Sequence, residues 1–366
     1  MPGLNNATEE TARRTERNTA NDLVTFDFQE PVSSLDWSPD SKNVLIAGTE
    51  GSLAVVDAVR GRLHRKLAGH KGAMQAAWSP NGLWIASGGQ DARIKLWHFQ
   101  SGELFRELEG GAPWVEHVKW SRDGGVLASA AGKRLRLWNV AGEMLFEFAA
   151  HESTISALQW RADGKGLATA CYGKVRCFRL GAARPYETLA WKSSLISLAW
   201  SPTGRFIATG TQENSIQFFR LGSGGEPPLE MSGYPGKVRH LAWDRTSRFL
   251  ATNSRDFVIV WDVSGKGPAG TIPLQLASHP SPVTALAYQR HGELLASGCD
   301  GGVVILWNPP ACPWPSRKPT PTDKPLRVVR LSSAINQLRW SPDESALAIG
   351  CQDGTVAITR AGNSNS

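Results

Sequence analysis

Residues 69–98, GHKGAMQAAWSPNGLWIASGGQDARIKLWH, decide the fold. A short apolar segment reaches Trp78 and stops at Ser79-Pro80-Asn81-Gly82, a run of residues that favour turns. Ile85-Ala86-Ser87 starts a second extended segment, and a tight reversal leads into Ile94-Lys95-Leu96-Trp97, where apolar and polar residues alternate. Alternation at period two, bounded by Gly, Asp and Asn, is the signal of half-buried strands.

The same unit recurs along the chain. Trp37, Trp78, Trp120, Trp160, Trp200, Trp243 and Trp340 each precede a turn-like stretch, and Tyr288 fills the missing place. The intervals are 41, 42, 40, 40, 43, 45 and 52 residues. A period of about 40–45 residues is that of a four-stranded propeller blade. Second strands carry the same signature, as in Leu127-Ala128-Ser129, Leu167-Ala168-Thr169, Leu250-Ala251-Thr252 and Leu295-Ala296-Ser297. A fourth, more polar strand follows, for instance over 103–108, as suits a rim that meets water.

This pattern resembles the WD-repeat family over about residues 22–360. The literal Trp-Asp pair stands at Trp261-Asp262, with Trp97-His98, Trp138-Asn139 and Trp307-Asn308 as near variants. The resemblance implies a structural hydrogen-bond set, complete in unit 2 as His70, Ser87, Asp91 and Trp97. It is partial in units 4 and 7, through His151 with Thr169 and His279 with Ser297. The expected fold is all-β: a single closed β-propeller over 22–361 with eight four-stranded blades, seven being the commoner count in the family. The last unit supplies three strands, so residues 23–28, LVTFDF, should complete its blade and remove two open sheet edges. Polar tails at 1–21 and 362–366 are expected to be disordered.

Composition narrows the functional classes. The first twenty residues lack the apolar core of a secretory signal, and no apolar run could span a bilayer. Five cysteines without a C-x-x-C pair disfavour a disulfide scaffold and point to a reducing compartment, the cytoplasm. The net charge of +7 and basic stretches at 59–66 (VRGRLHRK) and 133–136 (KRLR) keep nucleic acid as an alternative partner. No G-x-S-x-G, H-E-x-x-H or phosphate-loop motif is present, so no catalytic residue is assigned; an enzyme site at the channel mouth stays as the other alternative.

The repeat accounts for eleven of the fifteen tryptophans and leaves Trp84, Trp114, Trp191 and Trp314. Trp191 falls where the structural histidine would sit and is expected to be buried. Trp314 belongs to a proline-rich insertion at 309–325, a solvated loop or a docking segment with Trp314 as anchor. His117 and His240 occupy equivalent positions three units apart, too far to share one zinc ion, and the cysteines have no clustered co-ligands. No metal or cofactor is expected.

In the WD-repeat family the loops entering first strands and joining second to third strands share the face that most often binds partners. Mapped onto this chain, that face carries Trp114, Glu116, His117, Arg239 and His240 as its centre, with Gln75, Gln90, Thr284, Asn336 and Gln337 around them. Aromatic and arginine side chains commonly carry interface energy. The expected function is a non-catalytic scaffold or adaptor that binds a macromolecule, above all a protein, as a monomer. WVEHVKWS (114–121), VRHLAWD (238–244) and VSGKGPAG (263–270) also resemble compact prokaryotic WD-repeat proteins that accompany metal-handling GTPases. That resemblance implies an adaptor in metal homeostasis.

Overall fold

A computed structural model describes residues 23–361 apart from 225, 266, 316, 317, 319, 320 and 323, and both expected tails lie outside the described residues. Each unit folds into a small antiparallel sheet whose first strand ends at the repeating aromatic. These strands are Val32–Trp37, Ala73–Trp78, Val115–Trp120, Ala157–Trp160, Ala199–Trp200, Leu241–Trp243, Val283–Tyr288 and Ile335–Trp340. Each packs beside the first strands of the preceding and following units, and the last packs beside the first. The eight sheets therefore stand as blades around one axis, with first strands innermost. Among the described residues no helix is long and apolar enough to cross a membrane.

The turn after the aromatic repeats for a steric reason. Its fourth residue adopts positive φ, which glycine tolerates best, and Gly82, Gly124, Gly164 and Gly204 stand there. Ser41, Ser247 and Glu344 accept the same conformation in three other blades.

The ring closes as the strand count requires. Leu23–Asp27 pairs antiparallel with Thr355–Arg360, from Leu23 opposite Thr359 to Asp27 opposite Thr355, and completes the eighth blade. Val24 and Phe26 pack onto the apolar cluster shared with the first blade.

Two blades depart from the plain pattern. In the fourth, the second and third strands run as one bent element, Gly166–Arg179, with Gly173 at positive φ. The sixth gains a fifth strand, Pro321–Thr322, which lies parallel to its outer strand Leu274–Ala277. That strand comes from the proline-rich insertion of the seventh unit, so the insertion covers a neighbouring sheet edge instead of standing free as a loop. An open outer edge is a template for unwanted pairing, and coverage blunts it.

The core lies between blades. Of the eleven repeat tryptophans eight are buried, while Trp160, Trp261 and Trp340 are partly so. Several donate their indole N–H across the gap to the preceding blade: Trp120 to the Ala77 carbonyl at 3.3 Å, Trp160 to Lys119 at 2.9 Å, Trp243 to Ala199 at 3.1 Å.

Polar hubs sit inside individual blades. In the second, His70 pairs through Nδ1 with Asp91 at 2.9 Å and through Nε2 with the Ser87 hydroxyl at 2.5 Å. In the seventh, Trp307 donates to the Ser297 hydroxyl at 2.8 Å, which pairs with His279 at 2.7 Å. His151 pairs with Thr169 at 2.9 Å in the fourth. The sixth blade has no histidine at this place; Tyr234 fills it, accepting from Trp261 at 2.7 Å and pairing with Thr252 at 2.9 Å. Trp191, half-buried on the outer strand Glu187–Ser194, packs into the cluster between blades four and five.

Candidate functional site at the loop face and channel

Backbone hydrogen bonds bring the relevant loops to one face. In five blades the hairpin between second and third strands donates to the segment that leads into the first strand. The bonds run from Thr49 to Pro31, Gln90 to Gly72, Gln212 to Ser194, Asp300 to Pro282 and Gln352 to Ala334. In the third blade the Glu116 carboxylate takes this part and accepts from the Gly132 N–H at 3.3 Å. Burial raises the Glu116 pKa, against the lowering effect of that hydrogen bond.

Three rim positions named from sequence, Glu116, Thr284 and Asn336, coincide with a recurring irregularity, which Ser33 of the first blade shares. The pairing of first to second strand shifts register between Val32 and Ser34, Val115 and His117, Val283 and Ala285, and Ile335 and Gln337. Ser33, Glu116, Thr284 and Asn336 are therefore bulged residues. A bulge re-aims a side chain out of the regular ladder, here at the mouth of the channel.

Below the bulge an inner strand has one unpaired edge, and its N–H groups need acceptors. Side chains from the preceding blade supply them. Gln75 accepts from Val118 N–H at 3.0 Å, Ser34 from Ala76 at 3.0 Å, Asp36 from Trp78 at 2.8 Å and Gln159 from Trp200 at 2.7 Å. Other rim side chains donate to carbonyls of the next blade: Thr284 to Ile335 at 2.5 Å, Asn336 to Val32 at 3.3 Å and Gln337 to Ser33 at 3.0 Å. Gln75, Thr284, Asn336 and Gln337 thus have inter-blade partners within the chain.

The remaining candidates are placed differently. Trp114 stands in the segment before the third blade with 54% of its surface exposed. Gln90 is an exposed hairpin residue beside Gly72. Arg239 is exposed, and the Asn253 amide oxygen clamps the backbone N–H groups of Arg239 at 3.0 Å and His240 at 2.9 Å. His117 and His240 are half-buried in the third and sixth blades, the first with its ring against the backbone of Ile155 and Ser156 in the fourth blade. Burial holds both imidazoles at about 4, helped by Lys119 beside the first and Arg239 beside the second, so both are neutral at pH 7. Trp314 lies away from this face, stacked on Phe249 at 5.1 Å between ring centroids, with its indole N–H donated to the Pro309 carbonyl at 3.2 Å. Among the described residues no group of three or more His, Cys, Asp or Glu is placed to hold a metal ion.

Comparison with known families matches the same architecture. The WD domain, G-beta repeat model fits residues 61–98, 102–139, 142–179, 184–220 and 270–308, more than half of the chain. The chain belongs to the WD40-repeat family. The Anaphase-promoting complex subunit 4 WD40 domain model matches 327–366. The first WD40 match opens beside the outer strand Arg62–Leu67 of one blade and ends with the third strand Arg93–His98 of the next. Sequence repeat and blade are thus offset by one strand, which is why the chain's first strand must complete its last blade.

Among relatives, the Pre-rRNA-processing protein IPI3 of Mycosarcoma maydis is 30% identical over 129 residues, covering 32% of this chain and 21% of that protein. The Guanine nucleotide-binding protein G(I)/G(S)/G(T) subunit beta-1 of Homarus americanus is 23% identical over 130 residues, covering 34% and 38%. The matches therefore span less than two fifths of either relative. The crystal structure of the computationally designed Ika8 protein superposes with a TM-score of 0.75 at 20% identity, covering 92% of this chain and 98% of that one. It shows a shared fold.

Within this WD40 propeller one exposed aromatic was missed in the sequence. Tyr172, 53% exposed, occupies in the fourth blade the hairpin position held elsewhere by Gln90, Gln212 and Asp300. Its N–H bonds to the Ser153 hydroxyl at 2.8 Å, and Ile155 bonds to the Gly132 carbonyl at 2.8 Å. A Cβ on Gly132 would in turn touch Ala112, two residues from Trp114. Trp114 and Tyr172 thus rise from contiguous loops on one face. Extending the hairpin alignment through the fourth unit would have found Tyr172.

Proposed function

We propose that this propeller is a protein-interaction scaffold whose docking face is the loop rim around the channel, centred on blades three and four. The observation that carries it is the pair of exposed aromatics, Trp114 and Tyr172, on adjoining loops of that face. Aromatic side chains are enriched among the residues that carry interface energy once a partner covers them. Arg239, exposed in the sixth blade, extends the surface across the channel. Glu116, His117, His240 and Gln90 border it, while Gln75, Thr284, Asn336 and Gln337 stiffen its floor. Members of the WD40 family are typically non-catalytic scaffolds, and this reading carries no reaction. The unpaired cysteines suit the cytoplasm, and an adaptor role in metal homeostasis rests on sequence resemblance alone.

A second reading has its own support. The IPI3 relative is named for pre-rRNA processing, and the outer strand Arg62–Leu67 carries exposed basic residues on a chain of net charge +7. Phosphate-driven binding weakens steeply as salt rises, whereas an apolar rim contact does not. Affinity capture at two salt concentrations, with wild type and the Trp114→Ala, Arg239→Ala variant, tests both. A discrete protein held through moderate salt by wild type alone supports the scaffold. Nucleic acid lost at higher salt, with no specific protein, overturns it.

A further inference from the structure

Cations outnumber carboxylates around the two exposed aromatics of the loop face. Gly111, in the segment that carries Trp114, lies against two arginines: a Cβ there would meet Arg136 Cζ at 2.7 Å and Arg134 Cδ at 2.9 Å. Both share one carboxylate, Glu147, at 2.7 Å from Arg134 and 2.5 Å from Arg136. The arrangement recurs beside Tyr172, where Lys174 and Arg176 share Glu152 at 2.6 and 2.7 Å. The two clusters adjoin: the Arg176 guanidinium lies 5.7 Å from the ring centroid of Phe148, the residue after Glu147 on the strand Met144–Phe148. Between the two aromatic loops stands Lys133. Its carbonyl accepts from the His151 ring at 3.0 Å, and its neighbour Gly132 faces Ala112 on one side and Ile155 on the other. The Lys133 side chain is exposed, and its ammonium makes no ion pair or hydrogen bond with any described residue. The third carboxylate of the region is Glu116, which accepts from the Gly132 N–H. Glu107 and Glu109 of the second blade lie on the strand face opposite Leu108, which packs toward the third blade, and both pair with Arg93. Ion pairs this exposed contribute little to the fold, whereas a surplus of one sign on a binding face selects a partner of the other.

We infer that the face around Trp114 and Tyr172 takes an acidic protein segment, whose Asp and Glu carboxylates meet Lys133, Arg134 and Lys174 while an apolar residue of the same segment packs on the aromatics. The inference rests on the scaffold reading above and adds to it the chemistry of the partner. Arg134 donates to Glu147 through Nη1 alone and Lys174 to Glu152 through one of its three N–H groups, so both keep donors for a second carboxylate. The positive field steers the acidic segment to the face, and the buried aromatic contacts then hold it.

The test is selection of random twelve-residue peptides displayed on phage against the immobilised full chain, which presumes no partner sequence. The expected peptides carry net negative charge and at least one apolar residue. One of them, labelled with fluorescein, should bind at least tenfold more weakly to a Lys133→Glu, Lys174→Gln variant by fluorescence anisotropy. It should bind unchanged to Lys165→Glu, which reverses an exposed lysine in the turn on the opposite face; thermal melting checks that each variant folds. Enrichment of neutral or basic peptides, or equal affinity in the folded double variant, overturns the acidic partner. Labelled oligothymidylate bound as tightly as the peptide and lost in the same variant also overturns it, in favour of nucleic acid. A Trp114→Ala, Tyr172→Ala variant separates the two readings. Peptides that need these aromatics but are not acidic contradict only the charge inference. Enrichment equal on wild type and this variant, or absent from both, contradicts the docking face itself.

Discussion

Trp37 donates its indole N–H to the backbone carbonyl of Arg339 at 2.9 Å, joining the first blade to the last although 302 residues separate them. The bond is one of a series in which Trp37, Trp120, Trp160, Trp243 and Trp340 are each fastened to the blade before them. At this seam it works beside the Leu23–Asp27 strand, which the chain contributes to its own final blade.

Removal of that strand should open the ring. A chain beginning at Phe28 exposes the Thr355–Arg360 edge and uncovers the apolar surface beneath Val24 and Phe26. The expected outcome is a markedly lower melting temperature together with concentration-dependent association, because an open edge pairs with another chain. Thermal melting and size-exclusion chromatography read both effects.

Tyr234→Phe should cost about 1–3 kcal/mol, since it leaves the Trp261 indole N–H and the Thr252 hydroxyl without the phenolic oxygen that joins them. Urea denaturation measures the loss. A change below a few tenths of a kcal/mol would show that the sixth blade does not depend on this hub.

Trp314→Ala should lower stability and leave partner capture unchanged, because the indole is stacked on Phe249 and donates to Pro309 within the chain. Loss of capture with unchanged melting would instead assign the insertion a docking role.

Stability should fall as the medium is acidified from pH 7 to 5. Burial holds the imidazoles of His151 and His279 at about 4, below the roughly 6.5 of an unfolded histidine. Between those values the unfolded chain binds more protons, so their contribution is complete above about pH 6.5 and is lost toward pH 4. Each adds up to about 1.4 kcal/mol per pH unit across that window. Burial raises Asp36 and Glu116, which act with the opposite sign, so the histidine contribution is read as a difference. His279→Gln should show a shallower decline in urea midpoint than wild type.

The repeat was legible because propeller blades impose it physically. Every blade has an aromatic at the end of its inner strand, and all but the seventh a positive-φ residue in the turn after it, so Trp37 to Trp340 and the glycines of the turns mark the blades directly. Tyr234 stands nine residues before Trp243, as His151 does before Trp160, yet a search for histidine passes over a phenol that does the same bonding. The parallel strand at Pro321–Thr322 was hidden, because proline reads as a breaker unless its N–H side faces away from the partner. At the rim, sequence could name residues but not their engagements. Gln75 and Gln337 resemble free surface amides until the unpaired edge of the neighbouring inner strand is seen beside them.

The most direct measurement is affinity capture from the source cell with wild type and a Trp114→Ala, Tyr172→Ala variant whose melting temperature has been checked. The expected result is one discrete protein retained by wild type at moderate salt and lost from the variant, with melting nearly unchanged. Equal recovery by a folded variant would contradict a docking face centred on blades three and four.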